Sequence, residues 1–257
     1  MILGDIASIA SFLKDVAELS AMDKVKILSK TIFGKRKKIA VYGDSGVGKT
    51  QFLRTLTGKD CYNLVKERTR DVKRHPMTLR TGRKIMLIDM PGHASSKRYR
   101  DEVLNEITRG KIEGLINIVN YGYQDSELLQ EDPSSVFKVG SCEVKQEFLN
   151  ENRKREIQRT QEFVERIGPD VKLKWIITVI NKADVWHKNR QEVENYYTNG
   201  EYNKTIEPLV KACSLKVRRF CSVITPFGNR DMVLSYSEND KYNDYDDLIS
   251  LLEEILG

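Results

Sequence analysis

The chain is poor in the residues that mark secreted, metal-binding and membrane-spanning proteins. It has four cysteines and three histidines in 257 residues. The cysteines lack the C-x-x-C spacing of a zinc or redox site, and no cluster of histidines lies beside them, so reduced thiols are favoured over a disulfide pair. No apolar run approaches the roughly 18 residues that a membrane-spanning helix requires.

Recognisable targeting signals are also missing. The first residues lack the basic region, long apolar core and small-residue cleavage site of a signal peptide. Met1-Ile2-Leu3 is not a myristoylation start, and Ile255-Leu256-Gly257 is not a prenylation end. We therefore expect a cytoplasmic protein.

The composition is otherwise that of an ordinary globular protein. Hydrophobic residues make up 40% and charged residues 31% of the chain, which is enough apolar surface for a full core. The net charge of +6 comes from basic residues interspersed among acids. A nucleotide-binding protein needs some positive field, so we expect no nucleic-acid partner.

Residues 1–34 are predicted to form an N-terminal amphipathic helical segment. Apolar residues recur there at spacings of four and three, the stripe of an amphipathic helix. Packing on the protein's own body or on a partner helix is the favoured interpretation. Docking of residues 1–33 on a membrane surface stays open, although four acids and four lysines there remove the positive bias of such a helix.

Residues 35–257 alternate between apolar strands and helices. The predicted strands are 38–42, 72–79, 85–88, 115–119, 175–180 and 219–224, and the clearest predicted helices are 50–57, 151–167 and 245–256. Pro76 removes a backbone donor and places its strand at a sheet edge. The pattern predicts an α/β fold, a mostly parallel six-stranded sheet with helices on both faces and an antiparallel edge strand.

Three separated segments each follow an apolar strand and together fit one nucleotide site. They read Gly43-Asp44-Ser45-Gly46-Val47-Gly48-Lys49-Thr50, Asp89-Met90-Pro91-Gly92 and Asn181-Lys182-Ala183-Asp184. Ligands of a parallel sheet bind at the carboxyl ends of its strands, so we expect the three segments to meet there. The Asp-x-x-Gly segment alone is a weak signal, but all three segments in this order are specific for a guanine-nucleotide site.

The first segment is typical of a phosphate-binding loop. Its glycines let the backbone curl so that successive N–H groups point at phosphate oxygens, and the helix that follows adds its positive end. Lys49 supplies a charge to the β- and γ-phosphates, and the Thr50 hydroxyl coordinates Mg²⁺. The expected nucleotide contacts are Gly43, Asp44, Ser45, Gly46, Val47, Gly48, Lys49, Thr50 and Gln51.

The other two segments predict the remaining parts of the site. Asp89 ends its strand where it can hold Mg²⁺ through water, and Gly92 can bring its N–H against a γ-phosphate. The third segment, 181–184, is expected to contact the base through Asn181 and Asp184. The Asp184 carboxylate can accept hydrogen bonds from guanine N1–H and N2–H₂, whereas adenine lacks that donor pair. The aliphatic stem of Lys182 can lie along the base.

At these residues the chain resembles the P-loop GTPases of the Ras-like and translation-factor kind, over about residues 38–256. The phosphate loop is similar to that of Rab-type small GTPases, whereas Asp-Met-Pro-Gly-His at 89–93 is similar to translation factors and the β-subunit of the signal recognition particle receptor. The resemblance implies a P-loop NTPase fold, Mg²⁺ as cofactor, GTP and GDP as ligands and a protein effector or activator as partner. It assigns no subfamily.

The resemblance also implies roles for individual residues. In translation factors the histidine after Asp-x-Pro-Gly positions the attacking water, a role that falls on His93. A threonine between the phosphate loop and Asp89 closes on Mg²⁺ and the γ-phosphate. Thr69 is preferred, because it lies in a polar stretch before the edge strand, and Thr78 and Thr81 are the alternatives.

Two regions depart from the family pattern. The final base-contacting loop aligns with Ser222-Val223-Ile224, where only the serine matches. Asp89 and Asn181 are 92 positions apart, which indicates an insertion at about residues 121–150. A loop of that length is a surface excursion, or a lid or partner site.

The leading hypothesis is a regulatory GTPase that hydrolyses GTP to GDP and phosphate and changes its switch segments with the bound nucleotide. The first alternative is a non-hydrolysing module that binds GTP or GDP as a signalling ligand. The second is a membrane-associated oligomerising GTPase that acts through residues 1–33.

Overall fold

A single six-stranded sheet organises the part of the chain that the computed structural model describes. The described residues are 36–59, 71–91, 97–124, 132–138, 140–141, 143–168, 171–210, 213–220 and 236–257. The strands are β1 (Lys37–Tyr42), β2 (Lys73–Thr78), β3 (Lys84–Asp89), β4 (Gly114–Val119), β5 (Trp175–Ile180) and β6 (Ser214–Arg219). Their order is β2-β3-β1-β4-β5-β6. Strand β2 runs antiparallel to β3, while β4 is parallel to β1 and β5, and β6 is parallel to β5. The predicted mostly parallel sheet with an antiparallel edge strand is confirmed.

Helices pack on both faces of this sheet. They are α1 (Lys49–Leu56), α2 (Lys97–Thr108), α3 (Pro133–Val136), α4 (Gln146–Ile167), α5 (Ala183–Trp186), α6 (Arg190–Thr198), α7 (Glu201–Val210) and α8 (Glu238–Leu256). Successive residues of β1 show the two layers, because side chains of a strand alternate between faces. Ile39 and Val41 pack with α1 and α8, whereas Ala40 packs with α2, α4 and α7.

A third apolar cluster lies at the carboxyl ends of β4 and β5. It joins Val119 and Ile180, which end these strands, to Trp186 of α5 and to Phe148 and Leu149 of α4. The first turns of α4 therefore pack against the segment that follows β5. This cluster fixes the segment that contains the predicted base-reading residues.

Some predicted boundaries were wrong. The last strand is Ser214–Arg219 rather than 219–224. It is an edge strand in which half-buried Leu215 and Val217 flank exposed Lys216, and such a short apolar pattern is difficult to recognise as a strand from the sequence. Helix α4 begins at Gln146 instead of 151. Helix α8 begins at Glu238 instead of 245, since Ser237 and Asp240 form a capping box there.

The structure describes part of the predicted insertion at 121–150. It contains the short helix α3, an isolated bridge between Phe137 and Val144 and the first residues of α4. Lys38–Gly257 belong to one compact unit, and the predicted helical segment 1–34 lies outside the described residues. Among the described residues, no helix combines the length and apolar character needed to cross a bilayer.

Candidate nucleotide site

The sheet brings the described parts of all three segments to one edge. β1 ends at Tyr42 before the phosphate loop, β3 ends at Asp89, and β5 ends immediately before Asn181. Tyr42 is in register with Asn117 of β4, which is in register with Thr178 of β5. The carboxyl ends of these strands are therefore neighbours, as the sequence predicts.

The phosphate loop has a backbone that requires glycine at two crowded positions. Gly43 has φ +154° and Gly48 has φ +92°. A Cβ atom at Gly43 would lie 2.6 Å from the Ile118 carbonyl oxygen, and one at Gly48 would lie 2.5 Å from Asn181 Nδ2. Helix α1 starts directly after this loop with no acidic residue in its first turn. Its positive end is available for an anion.

Lys49 is held across this loop. Its Nζ donates hydrogen bonds to the carbonyl oxygens of Gly43 at 2.6 Å and Asp44 at 2.8 Å. Burial lowers the pKa of the Lys49 ammonium, and the negative charges of Asp89 and Asp44 oppose that shift. A buried ammonium next to these amide groups can neutralise phosphate oxygens.

Asp89 is the described carboxylate best placed to hold a metal ion. It is only 1% exposed, and its Oδ1 has no hydrogen-bond partner among the described residues. Burial raises the pKa of this carboxyl to about 6 against the opposing charges of Lys49 and Lys73. An orphaned carboxylate oxygen at the strand end, with the Thr50 hydroxyl in the first turn of α1, fits Mg²⁺, which takes few protein ligands beside phosphates and water.

The predicted base-reading turn is tied to the phosphate loop. Asn181 Nδ2 donates a hydrogen bond of 2.8 Å to the Val47 carbonyl oxygen, and Trp186 Nε1 donates one of 2.8 Å to the Asn181 carbonyl oxygen. Asp184 is 1% exposed and lies in the first turn of α5. The two loops that would contact the phosphates and the base are thus one connected unit.

Lys182 has a contact that the sequence did not predict. Its backbone is left-handed, with φ +59°, its side chain is 2% exposed, and its Nζ donates to the Tyr123 carbonyl oxygen at 2.6 Å. Tyr123 belongs to the turn 120–123, which directly follows β4. A signal for this connection was present in α4, where buried Asn152, Glu156 and Thr160 recur every four residues on an otherwise apolar face.

Thr78 and Thr81, the alternatives to Thr69 for the threonine that closes on the γ-phosphate, lie at the end of the sheet opposite to Asp89. Lys73 is in register with Asp89, whereas Thr78 is in register with Lys84, about 17 Å away along β3. Thr81 lies beyond Thr78 in the turn, where its N–H donates to Glu253. Thr69 precedes the end of β2 that faces Asp89, so it remains the candidate, although it lies outside the described residues.

Other predicted site residues also lie outside the described part of the chain. They are Gly92, His93, Ser222 and Val223. Phe220, directly after β6, lies beside the base-reading turn, because the Ala183 N–H donates to its carbonyl oxygen at 3.1 Å. Their roles remain predictions.

Glu156 should make the stability of the folded protein depend on pH. Burial raises the pKa of its carboxyl from an ordinary 4.5 to about 7. The folded state therefore holds the proton more tightly, so this stabilisation is complete below pH 4.5 and is lost as the pH rises through 7. Between pH 5 and pH 8 we expect the wild type to lose roughly 2 kcal/mol of unfolding free energy relative to a Glu156→Gln variant. Urea unfolding of both proteins at both pH values tests this, and parallel pH profiles would contradict it.

Comparison with solved structures gives similarity at low identity. A bacterial selenocysteine-specific elongation factor, EF-Sec, is 19% identical, with a TM-score of 0.38 over 81% of this chain and 29% of that chain. The signal recognition particle receptor SRb-GTP/SRX complex from Chaetomium thermophilum is 14% identical, with a TM-score of 0.42 over 78% of this chain and 97% of that chain. This chain thus spans less than a third of the elongation factor chain.

Comparison with families is more specific. Among curated protein sequences, none matches this chain at a significant level. The model of the family described as 50S ribosome-binding GTPase matches residues 38–211, a range that contains all three segments of the candidate site. The chain therefore belongs to this GTPase family.

Proposed function

We propose that this protein binds GTP with Mg²⁺, hydrolyses it to GDP and phosphate, and uses the two nucleotide states to switch its contact with a protein partner. One observation carries the proposal. The hydrogen bond between Asn181 and Val47 joins the base-reading turn to the phosphate loop. The buried Lys49 ammonium of that loop interacts with Asp89, whose Oδ1 has no hydrogen-bond partner among the described residues.

The described residues would bind the nucleotide through complementary charges and hydrogen bonds. The amide groups of the phosphate loop, the start of α1 and Lys49 would hold the phosphates. Asp184, which is itself buried, would accept the two donors of the guanine edge. Thr50 and Asp89 would hold Mg²⁺, which when bound neutralises charge on the phosphate oxygens.

Hydrolysis requires a water molecule aligned with the γ-phosphate. We propose that His93 orients it, and that Thr69 and Gly92 contact the γ-phosphate region only while that phosphate is present. Loss of these contacts after hydrolysis would release both segments, which is how such proteins convert a chemical step into a change of partner. Asp89 and β2 flank these segments and would fix where they start and end.

Phosphate release tests the activity. Wild-type protein with Mg²⁺ should release phosphate from GTP and not from ATP, and a Lys49→Ala variant provides the background. His93→Ala should lower kcat by about 100-fold with little change in KM, because an orienting residue acts in the transition state. His75→Ala is the control, since His75 lies in the middle of β2, opposite Leu87.

The outcomes separate the alternatives. Tight GTP binding without release would support a non-hydrolysing interaction module instead. Full turnover in a folded His93→Ala variant would remove His93 from the mechanism and leave the hydrolase intact. Release from ATP at the same rate would contradict the proposed base selection.

A further inference from the structure

Side chains of α4 and α6 hold the turn 120–123 by its backbone. The Asn120 N–H donates to Glu156 Oε2 at 3.2 Å, and the Tyr121 N–H donates to Tyr197 Oη at 2.8 Å. The Tyr197 hydroxyl in turn donates to Glu156 Oε1 at 2.6 Å. Glu156 therefore holds this turn with both carboxyl oxygens: Oε2 accepts directly from Asn120, and Oε1 acts through Tyr197.

The same turn is held from a second position on α4. Asn152 Nδ2 donates to the Gly122 carbonyl oxygen at 2.8 Å. A Cβ atom at Gly122, where φ is +86°, would lie 2.5 Å from the Leu149 carbonyl oxygen. The backbone of the turn thus lies directly against α4, one to two helical turns before Glu156.

The conformation of the turn is one that needs outside support. Tyr121 has φ +56°, and a bulky residue in the left-handed region is disfavoured by its own sterics. Such a conformation persists where surrounding contacts over-determine it. Here Arg153 of α4 also lies over the Tyr121 ring, 4.3 Å from its centroid, and the Tyr121 hydroxyl donates to Glu192 of α6 at 2.6 Å.

The turn ends on the base-reading segment. The Tyr123 N–H donates to the Asn120 carbonyl oxygen at 3.0 Å, which closes the turn. The Tyr123 carbonyl oxygen then accepts the Lys182 ammonium at 2.6 Å. Lys182 lies between Asn181 and Asp184 and is itself left-handed, so the position of one carbonyl oxygen in the turn fixes the backbone that presents the base-reading residues.

We propose that Asn152 and Glu156 of α4 and Tyr197 of α6 are positioning residues for guanine-nucleotide binding, which act through the 120–123 turn on Lys182. This inference rests on the proposed function of the site. It also gives α4, which begins within the predicted insertion, a role as a support of the nucleotide site. None of the three residues is catalytic, because they act on the site through other residues.

The surroundings of Glu156 support a positioning role over simple packing. The titratable and charged groups that interact with it are Tyr196 and Tyr197 of α6, Tyr202 of α7, Asp44 of the phosphate loop and Arg153 of its own helix. Burial of a carboxyl among mostly aromatic side chains is unfavourable, as its raised pKa shows. Its hydrogen bonds from Asn120 and Tyr197 offset part of that cost, so the carboxyl is held by the turn as well as by α6.

Two buried tyrosines provide a matched test. Tyr197 and Tyr202 are both fully buried, and each hydroxyl has two partners. Those of Tyr202 are Asn117 and Thr160, outside the turn. With GTP as substrate, Tyr197→Phe should raise KM about 10-fold with kcat unchanged, because a positioning residue for the base changes binding alone. The dissociation rate of GDP should rise about 10-fold as well, whereas Tyr202→Phe should change either quantity less than about 2-fold.

Thermal unfolding separates this effect from general destabilisation. Both variants lose a buried hydroxyl and should show a lowered Tm, but only Tyr197→Phe should show the change in KM. Equal changes in KM for the two variants, or a change confined to kcat, would overturn the proposal. If the wild-type protein neither binds nor hydrolyses GTP, the proposed function fails; if it does both and Tyr197→Phe matches it, only the positioning role fails.

A second pair of variants covers a Tyr197→Phe protein that does not fold. In Glu156→Gln one acceptor oxygen becomes a donor, so the side chain cannot accept from both the Asn120 N–H and the Tyr197 hydroxyl. GDP should again dissociate about 10-fold faster. Glu151→Gln, an exposed position on the same helix, should match the wild type. Unchanged GDP dissociation in Glu156→Gln would overturn the proposal independently.

Discussion

Asp184→Asn should change the preferred base from guanine to xanthine. The carboxylate of Asp184 would accept from guanine N1–H and N2–H₂, whereas an amide at this position offers one acceptor and one donor. Xanthine has a carbonyl oxygen in place of the guanine amino group and so pairs with that amide. Since Asp184 is 1% exposed, water cannot compensate for two opposed donors. We expect GDP affinity to fall by about 1,000-fold or more.

Competition binding with GDP and XDP measures this change. The variant should bind XDP more tightly than GDP, the reverse of the wild type. Asp247→Asn, an exposed carboxylate on α8, serves as the control and should keep the wild-type preference. An Asp184→Asn protein that folds and still prefers GDP would show that this carboxylate does not read the base.

Gly48→Ala should disable the site by separating its two loops. The added Cβ atom would lie 2.5 Å from Asn181 Nδ2, the atom that donates to the Val47 carbonyl oxygen. The variant would also place a side chain at φ +92°. Strain of about 1–2 kcal/mol and the loss of a buried hydrogen bond, about 1–3 kcal/mol, together predict a roughly 1,000-fold loss of GDP affinity.

A Gly58→Ala variant is the control that separates backbone strain at a positive φ from a steric clash of the added Cβ atom. Gly58 also has a positive φ, +67°, but a Cβ atom there would meet nothing within 4 Å. This control should lower thermal stability through its backbone and leave GDP affinity within about 2-fold of the wild type. Equal affinities for the two variants would mean that the contact between Gly48 and Asn181 does not matter for binding.

The sequence predicted the central strands well because they are buried on both faces. β4 and β5 read as apolar runs interrupted only by Asn117 and Thr178. Such runs, alternating with predicted helices along the chain, are typical of buried parallel strands. The edge strand β6 was misplaced because only one of its faces is partly buried and Phe220, just after it, belongs to the core. The apolar content of a short segment does not show whether a buried residue such as Phe220 lies within a strand or directly after it.

The site was predicted to the extent that its chemistry is local in sequence. Glycines, a lysine and a threonine in one loop need no distant partner to be recognised. The support of Lys182 was not predictable in that way, because its contacts join residues 123, 156 and 197, which only the packing of α4 and α6 on the sheet brings together. The spacing of Asn152, Glu156 and Thr160 places these polar side chains on one face of α4, but it does not show that the face is buried or what it holds.

The most direct test is the affinity of wild-type protein for GDP compared with ADP in the presence of Mg²⁺, measured by titration calorimetry with Asp89→Asn as a second sample. We expect GDP to bind at least about 1,000-fold more tightly than ADP, since a buried carboxylate that accepts the guanine edge leaves adenine unpaired. The gain in affinity on adding Mg²⁺ should be reduced in Asp89→Asn. Equal affinities for GDP and ADP would contradict the assignment of the three segments to one guanine-nucleotide site.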